Sequence, residues 1–102
     1  MFIENKIVTL CGSTKFMDEV NECYEGLTMS GNIVFPFMRL NVYKNYTKRY
    51  ENKSFLRDLH FKKIDLSEAI FVINKNKYIG EDTKIEIEYA KSKGKEIYYL
   101  ED

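Results

Sequence analysis

Short apolar runs alternate along this chain with longer stretches of mixed polarity, and the two kinds predict different elements. Residues 6–11 (KIVTLC) read as a buried strand that ends at the turn Gly12-Ser13-Thr14. Phe16, Val20, Tyr24 and Leu27 then recur at helical spacing, which predicts a helix over 15–30 with Gly31 just past its end. Residues 33–37 (IVFPF) are a second strand, and Pro36 places it at a sheet edge or marks its end. Residues 38–53 are polar and tyrosine-rich without a clear period and read as a loop. Ser54 then caps a helix running to about Glu68, with Phe55, Leu56, Leu59, the Lys63 stem and Leu66 on its inner side. Residues 69–74 (AIFVIN) are the third strand, 75–82 a loop, and 96–100 (EIYYL) the last strand.

The segment between those last two strands reads two ways. In GEDTKIEIEYA, Ile85, Ile87 and Tyr89 alternate with Glu86 and Glu88, as on a half-exposed strand. Parallel neighbours, however, need a crossover of about a dozen residues, usually a helix. A helix over 83–93 also accounts for Thr83 at its start and Gly94 at its end. The predicted order is then β-α-β-loop-α-β-α-β. This is an α/β fold of Rossmann or flavodoxin type, an open parallel sheet of about four or five strands flanked by helices. Neither an internal repeat nor a composition break divides the 102 residues, so one domain over 1–102 is expected.

Composition narrows the partners. Sixteen basic and sixteen acidic side chains cancel, so nothing draws the chain to nucleic acid or acidic membranes, and a small molecule or a protein is expected instead. No run is long enough to span a membrane, and the first residues lack a leader pattern. Two cysteines, Cys11 and Cys23, make no disulfide framework, and no Cys/His cluster has zinc spacing. A reducing, cytoplasmic setting without a metal follows as an expectation. The single histidine, His60, is expected at the surface or an interface.

Two places carry candidate chemistry. On a helical wheel Glu86 falls between Ile85 and Ala90, the one acid on the buried edge of its helix. A carboxylate there is costly unless paired, and such groups are often functional. The alternative is a capping box, Thr83-x-x-Glu86, in which the carboxylate closes on the Thr83 backbone. The second place is Cys11-Gly12-Ser13-Thr14-Lys15, where a strand gives way to a helix. Such a turn either holds an anion on backbone N–H groups or simply caps the helix. Both places lie at or just beyond C-terminal strand ends, where open α/β sheets bind ligands.

Three segments in order, LCGSTKF, KIDLSEAIFVIN and YIGEDTKIEIEYAKSKGKEIYYL, resemble the nucleoside 2-deoxyribosyltransferase-like superfamily, which includes 2′-deoxynucleoside 5′-phosphate N-hydrolases. The likeness spans most of the chain outside 38–53. It implies that Glu86 is a nucleophile and Asp65 an acid assisting departure of the base, kept protonated by burial near another acid. It further implies that Cys11, Gly12, Ser13, Thr14, Lys15, Gly80, Asp82 and Thr83 contact a nucleoside or nucleotide, that no cofactor is needed, and that subunits pair as homodimers or higher oligomers. Thr9 stands where these enzymes often carry a tyrosine, and Glu88 where they carry glycine. Tyr43, Tyr46, Tyr50 and Tyr78 are candidates to replace that tyrosine, and the first three also to stack on the base.

Three readings compete at this point. One is cleavage or transfer of an N-glycosidic bond on a nucleoside or its 5′-monophosphate. Another is a non-catalytic nucleotide-binding module on the same scaffold. The last is an interaction protein in which Glu86 is only a cap. Glu86 separates them: an enzyme needs it free, facing a pocket and near Asp65, and a cap needs it turned onto Thr83.

Overall fold

A computed structural model describes residues 3–37 and 54–102. The expected loop at 38–53, with Tyr43, Tyr46 and Tyr50, lies outside the described residues. Strand β1 (Ile7–Gly12) is followed by a 3-10 turn (Thr14–Phe16) and helix α1 (Met17–Met29). Then come β2 (Ile33–Phe35), α2 (Ser54–Leu66), β3 (Ala69–Ile73), a second 3-10 turn (Lys75–Lys77), α3 (Glu81–Ser92) and β4 (Glu96–Tyr99). The segment GEDTKIEIEYA is therefore helical, as the crossover argument requires.

The four strands form one parallel sheet in the order β2-β1-β3-β4. Pro36 follows β2, which lies at an edge, where a residue without an N–H removes no ladder bond. Side chains alternate between two cores. Val8, Leu10, Ala69, Phe71 and Ile73 meet Val20, Cys23 and Leu27 of α1 on one face. Cys11, Ile70 and Val72 meet Ile64 of α2 and Ile87 and Ala90 of α3 on the other. Both central strands are thus buried on both faces, which is why their sequences read as continuous apolar runs.

Glycines end α1 and α3. Gly31 and Gly94 adopt φ of +92° and +71°. After α1, the Asn32 N–H reaches the Leu27 carbonyl and the Gly31 N–H that of Thr28; after α3, Lys95 and Gly94 repeat the pattern on Ala90 and Lys91. These paired bonds satisfy carbonyls the helices leave open, in a conformation glycine adopts without strain.

Two expected helix faces are rotated. In α1 the buried stripe is Val20, Cys23 and Leu27, with Tyr24 exposed beside it. In α2 the inward residues are His60 and Ile64, while Phe55, Leu59 and Leu66 are exposed. The inner side of α2 lies over a polar strip of the sheet. There Thr9 Oγ1 and Ser67 Oγ are 2.6 Å apart, and the Ser67 hydroxyl also lies 2.7 Å from the Lys63 carbonyl, to which it can donate. Those hydroxyl groups satisfy each other, and His60, further up the helix, instead meets Cys11 of β1 and Glu86 of α3. The apolar positions of α2 therefore pointed to the wrong face.

The sheet changes winding direction between β1 and β3: α1 leaves β1 toward one face and α3 leaves β3 toward the other. In open α/β sheets such a reversal, at the C-terminal strand ends, is where ligands bind. Gly12 pairs with Ile73 at this point, and a Cβ on Gly12 would sit 3.0 Å from the Ile73 Cβ and 3.2 Å from its carbonyl oxygen. Neither atom can swing away. Gly12→Val is expected to cost about 1–3 kcal/mol of stability through overpacking. Urea unfolding measures it, and an unchanged midpoint would show that the strand ends can part.

Candidate functional site

Helix α3 starts two residues earlier than Thr83. Gly80 is its N-cap, the Lys84 N–H donates to the Gly80 carbonyl, and Glu81 and Asp82 occupy the first turn, where negative charge suits the helix dipole. Thr83 is thus inside the helix and buried, and Glu86 lies a turn too far along to close on the N-cap. The capping-box reading is overturned. The stripe facing the sheet is Thr83, Ile87 and Ala90, with Ile85 turned outward. Glu86 flanks that stripe, with 16% of its side chain accessible.

What it faces is a cluster drawn from three elements. Cys11 lies in β1, completely buried. Its Sγ is 3.4 Å from His60 Nε2, and that same nitrogen is 3.6 Å from Glu86 Oε1. His60 is 6% exposed, so the expectation of a surface or interface histidine is corrected. The thiol sulfur, the His60 nitrogen and a Glu86 carboxylate oxygen all lie within 4.8 Å of one another, so the three groups surround one point.

Burial sets the protonation of all three. Desolvation pushes the Glu86 carboxyl up to about 7; the Asp82 charge adds to the rise, while the Cys11 hydrogen bond and Arg57 oppose it. Desolvation, with help from the Lys63 charge, lowers His60 to about 4. The Cys11 thiol is driven well above its usual range, again chiefly by burial. Near pH 7 the cluster therefore holds a neutral imidazole, a neutral thiol and a carboxyl poised between its two forms. The close His60–Glu86 contact is not a buried ion pair, because both partners lose too much hydration to charge together.

This geometry excludes a nucleophile–histidine–acid relay. Such a relay uses both ring nitrogens, one on the nucleophile and one on the acid. Here Nε2 alone meets both Cys11 and Glu86. A thiol with a raised pKa is also a poor nucleophile. Glu86 is the member of the cluster with an open side.

Around it, Arg57 Nη2 and Asp82 Oδ1 form an exposed ion pair of 2.6 Å between α2 and α3. At the C-terminal strand ends, the Lys15 ammonium lies 4.0 Å from the Tyr78 ring centroid, and Phe16 meets the same ring edge-on. Ser13 caps the 3-10 turn by accepting the Lys15 N–H at 3.2 Å. The turn after β1 and the loop after β3 are thus joined through Lys15 and Tyr78, with Gly12 and Gly80 at their bases.

Asp65 is not brought to this cluster. It is exposed, five residues and about 7.5 Å further along α2 than His60. Its carboxylate accepts the Tyr89 hydroxyl at 2.7 Å, and Tyr89 stacks on Phe61. The burial that the resemblance implied for Asp65 is absent. Thr9 is fully buried with its hydroxyl paired to Ser67, so it does not orient Glu86 as the resemblance implies for a tyrosine there.

The sequence reading missed His60 and the thiol of Cys11 as partners of Glu86. Positions 11, 60 and 86 share no local motif, and only the parallel packing of α2 and α3 over β1 gathers them. A polar residue predicted on one face of a helix whose neighbours bury badly was the available signal. No helix among the described residues is long and apolar enough to cross a membrane. No family model, curated protein or solved structure matches this chain.

Proposed function

We propose that this protein cleaves or transfers the N-glycosidic bond of a nucleoside or nucleoside 5′-monophosphate, with Glu86 as the nucleophile. The observation that carries the reading is the orientation of Glu86: it is released from capping, turned toward Cys11 and His60 with part of its side chain still accessible, and held by burial between its charged and neutral forms. The resemblance of the three sequence segments supplies the substrate class.

In this chemistry the Glu86 carboxylate attacks C1′ as the bond to the base breaks. The base departs with that bond's electron pair and takes a proton from solvent water, leaving a glycosyl ester on Glu86. Water then releases the sugar, or a second base accepts it. Desolvation raises the energy of the bare carboxylate and so favours its reaction at a developing positive centre. Because the attacking form is ionised, kcat/KM is expected to rise with pH through about 7. In this reading Lys15, beside the Gly12-Ser13 turn, meets a 5′-phosphate. Asp65, tied to Tyr89, acts here as a structural acceptor, so the second acid that the resemblance implies is not beside Glu86. That observation favours the binding-module reading as the alternative.

The same proposal includes pairing of subunits in the cytoplasm, for which exposed Phe55, Leu59 and Leu66 of α2 offer an apolar surface. The test is base release. Purified protein is incubated with deoxy- and ribonucleosides and their 5′-monophosphates, and free bases are separated by chromatography. Release from one class of substrate supports the proposal. Release from none, with binding retained, replaces it with the binding module.

A further inference from the structure

Three side chains meeting at one point raise a question that the proposed chemistry does not answer. Glycosidic attack needs Glu86 alone, yet Cys11 and His60 are buried against it at a cost in hydration. Among the described residues they form the one group of three potential metal ligands, with donor atoms all within 4.8 Å of one another. We propose that Cys11 Sγ, His60 Nε2 and a Glu86 carboxylate oxygen form a binding site for a borderline-soft divalent transition-metal ion, with Zn²⁺ the best match.

Geometry and donor chemistry both lead there. Tetrahedral zinc with ordinary bond lengths separates a sulfur and a nitrogen ligand by about 3.6 Å, and a nitrogen and an oxygen ligand by about 3.3 Å. The observed separations are 3.4 Å and 3.6 Å. Sharing Nε2 between two partners defeats a proton relay and suits convergence on a single ion. A thiolate, an imidazole and a carboxylate select zinc-like ions over magnesium or calcium, which take oxygen ligands. Three protein ligands leave a fourth position for water.

Charge makes the same point. Thiolate, carboxylate and dication sum to zero, so the seated ion takes the place of the protons that otherwise keep the buried cluster neutral. Binding releases the thiol proton together with whatever proton Glu86 carries, and affinity accordingly rises with pH. The accessible side of Glu86 is the entry. An ion seated there also occupies the carboxylate needed for glycosidic attack, so Zn²⁺ is expected to inhibit base release. The binding inference does not rest on the glycosidic reading.

The test is titration of chelator-treated protein with Co²⁺, a spectroscopic substitute for zinc, in the absence of nucleoside. The expected result is one Co²⁺ per chain, a sulfur-to-cobalt charge-transfer band, and displacement by equimolar Zn²⁺. Cys11→Ser should remove the band, and Cys23→Ser should leave it. Glu86→Gln, the mildest change of shape, should weaken binding more than about tenfold while the far-ultraviolet circular dichroism stays native. Absence of the band in native protein, its survival in Cys11→Ser, or unchanged affinity in Glu86→Gln would each overturn the proposal. Base release is measured separately with chelator present, so failure of the metal site and failure of the glycosidic reading give different results.

Discussion

Glu86→Gln is expected to lose base release by at least about 10³-fold and, at the same time, to gain stability at pH 8. The first effect follows from removing the attacking atom, since nucleophile substitutions cost this much or more in enzymes that depend on one. The second follows from burial. The folded protein holds the Glu86 carboxyl at about 7, against an ordinary 4.5. Between those values the native state binds more protons than the unfolded state, so this group makes stability fall as pH rises from 4.5 to 7, after which the loss is complete. A difference of that size corresponds to about 3 kcal/mol. The amide of the variant has no charge to desolvate. Its advantage over the native protein should be near zero at pH 4.5 and approach that figure at pH 8. His60 titrates in the opposite sense: with its folded value at about 4, its contribution improves as pH rises from 4 to 6.5. His60 has completed that change by pH 7, so it leaves the comparison of the two proteins between pH 7 and 8 untouched. Urea unfolding at pH 4.5 and 8 with chelator present measures the effect. Equal stabilities at both pH values would mean that Glu86 is solvated.

Ile70→Ala is expected to destabilise the fold by about 2–5 kcal/mol, a large share of the 5–15 kcal/mol typical of a small domain. Ile70 is fully buried in β3, paired between Thr9 and Ile97, on the face that packs against α2 and α3. A central strand of a four-stranded sheet has little room to collapse around a lost side chain, so most of the cavity should persist. The same core contains Cys11, Val72 and Ile87, and the hole would loosen the support under Glu86. The urea midpoint should fall with an unchanged slope. Ile33→Ala, at an edge-strand residue 59% exposed, should change stability by less than about 0.5 kcal/mol. Similar losses at both positions would contradict the assignment of the two cores.

The order of elements was legible because each signal was local and redundant. Apolar runs marked β1 and β3, and glycines at 31 and 94 marked the ends of α1 and α3. The crossover requirement outweighed the misleading alternation of IEIEY. Helix faces were less legible. In α2 the apolar letters favoured Leu59 and Leu66, but the inward position is His60, whose partners Cys11 and Glu86 come from β1 and α3. The direction of Glu86 was visible as a choice between two outcomes and no further: a shift of two residues in the start of α3 decides it, and Gly80 as N-cap carries no side-chain signal. Its neighbours were not visible at all, because Cys11 and His60 reach it only through tertiary packing. Asp65 came from resemblance alone, and the packing of Tyr89 against Phe61 takes it elsewhere.

The most direct measurement is to look for the sugar on Glu86. Native protein is mixed with the substrate that the base-release panel identifies, quenched in acid within the first turnover, digested, and its peptides weighed. The account predicts one added pentosyl unit on the peptide spanning Glu86, absent from Glu86→Gln protein and removed on longer incubation. Base release without that adduct and undiminished in Glu86→Gln, or an adduct on a different residue, would contradict it.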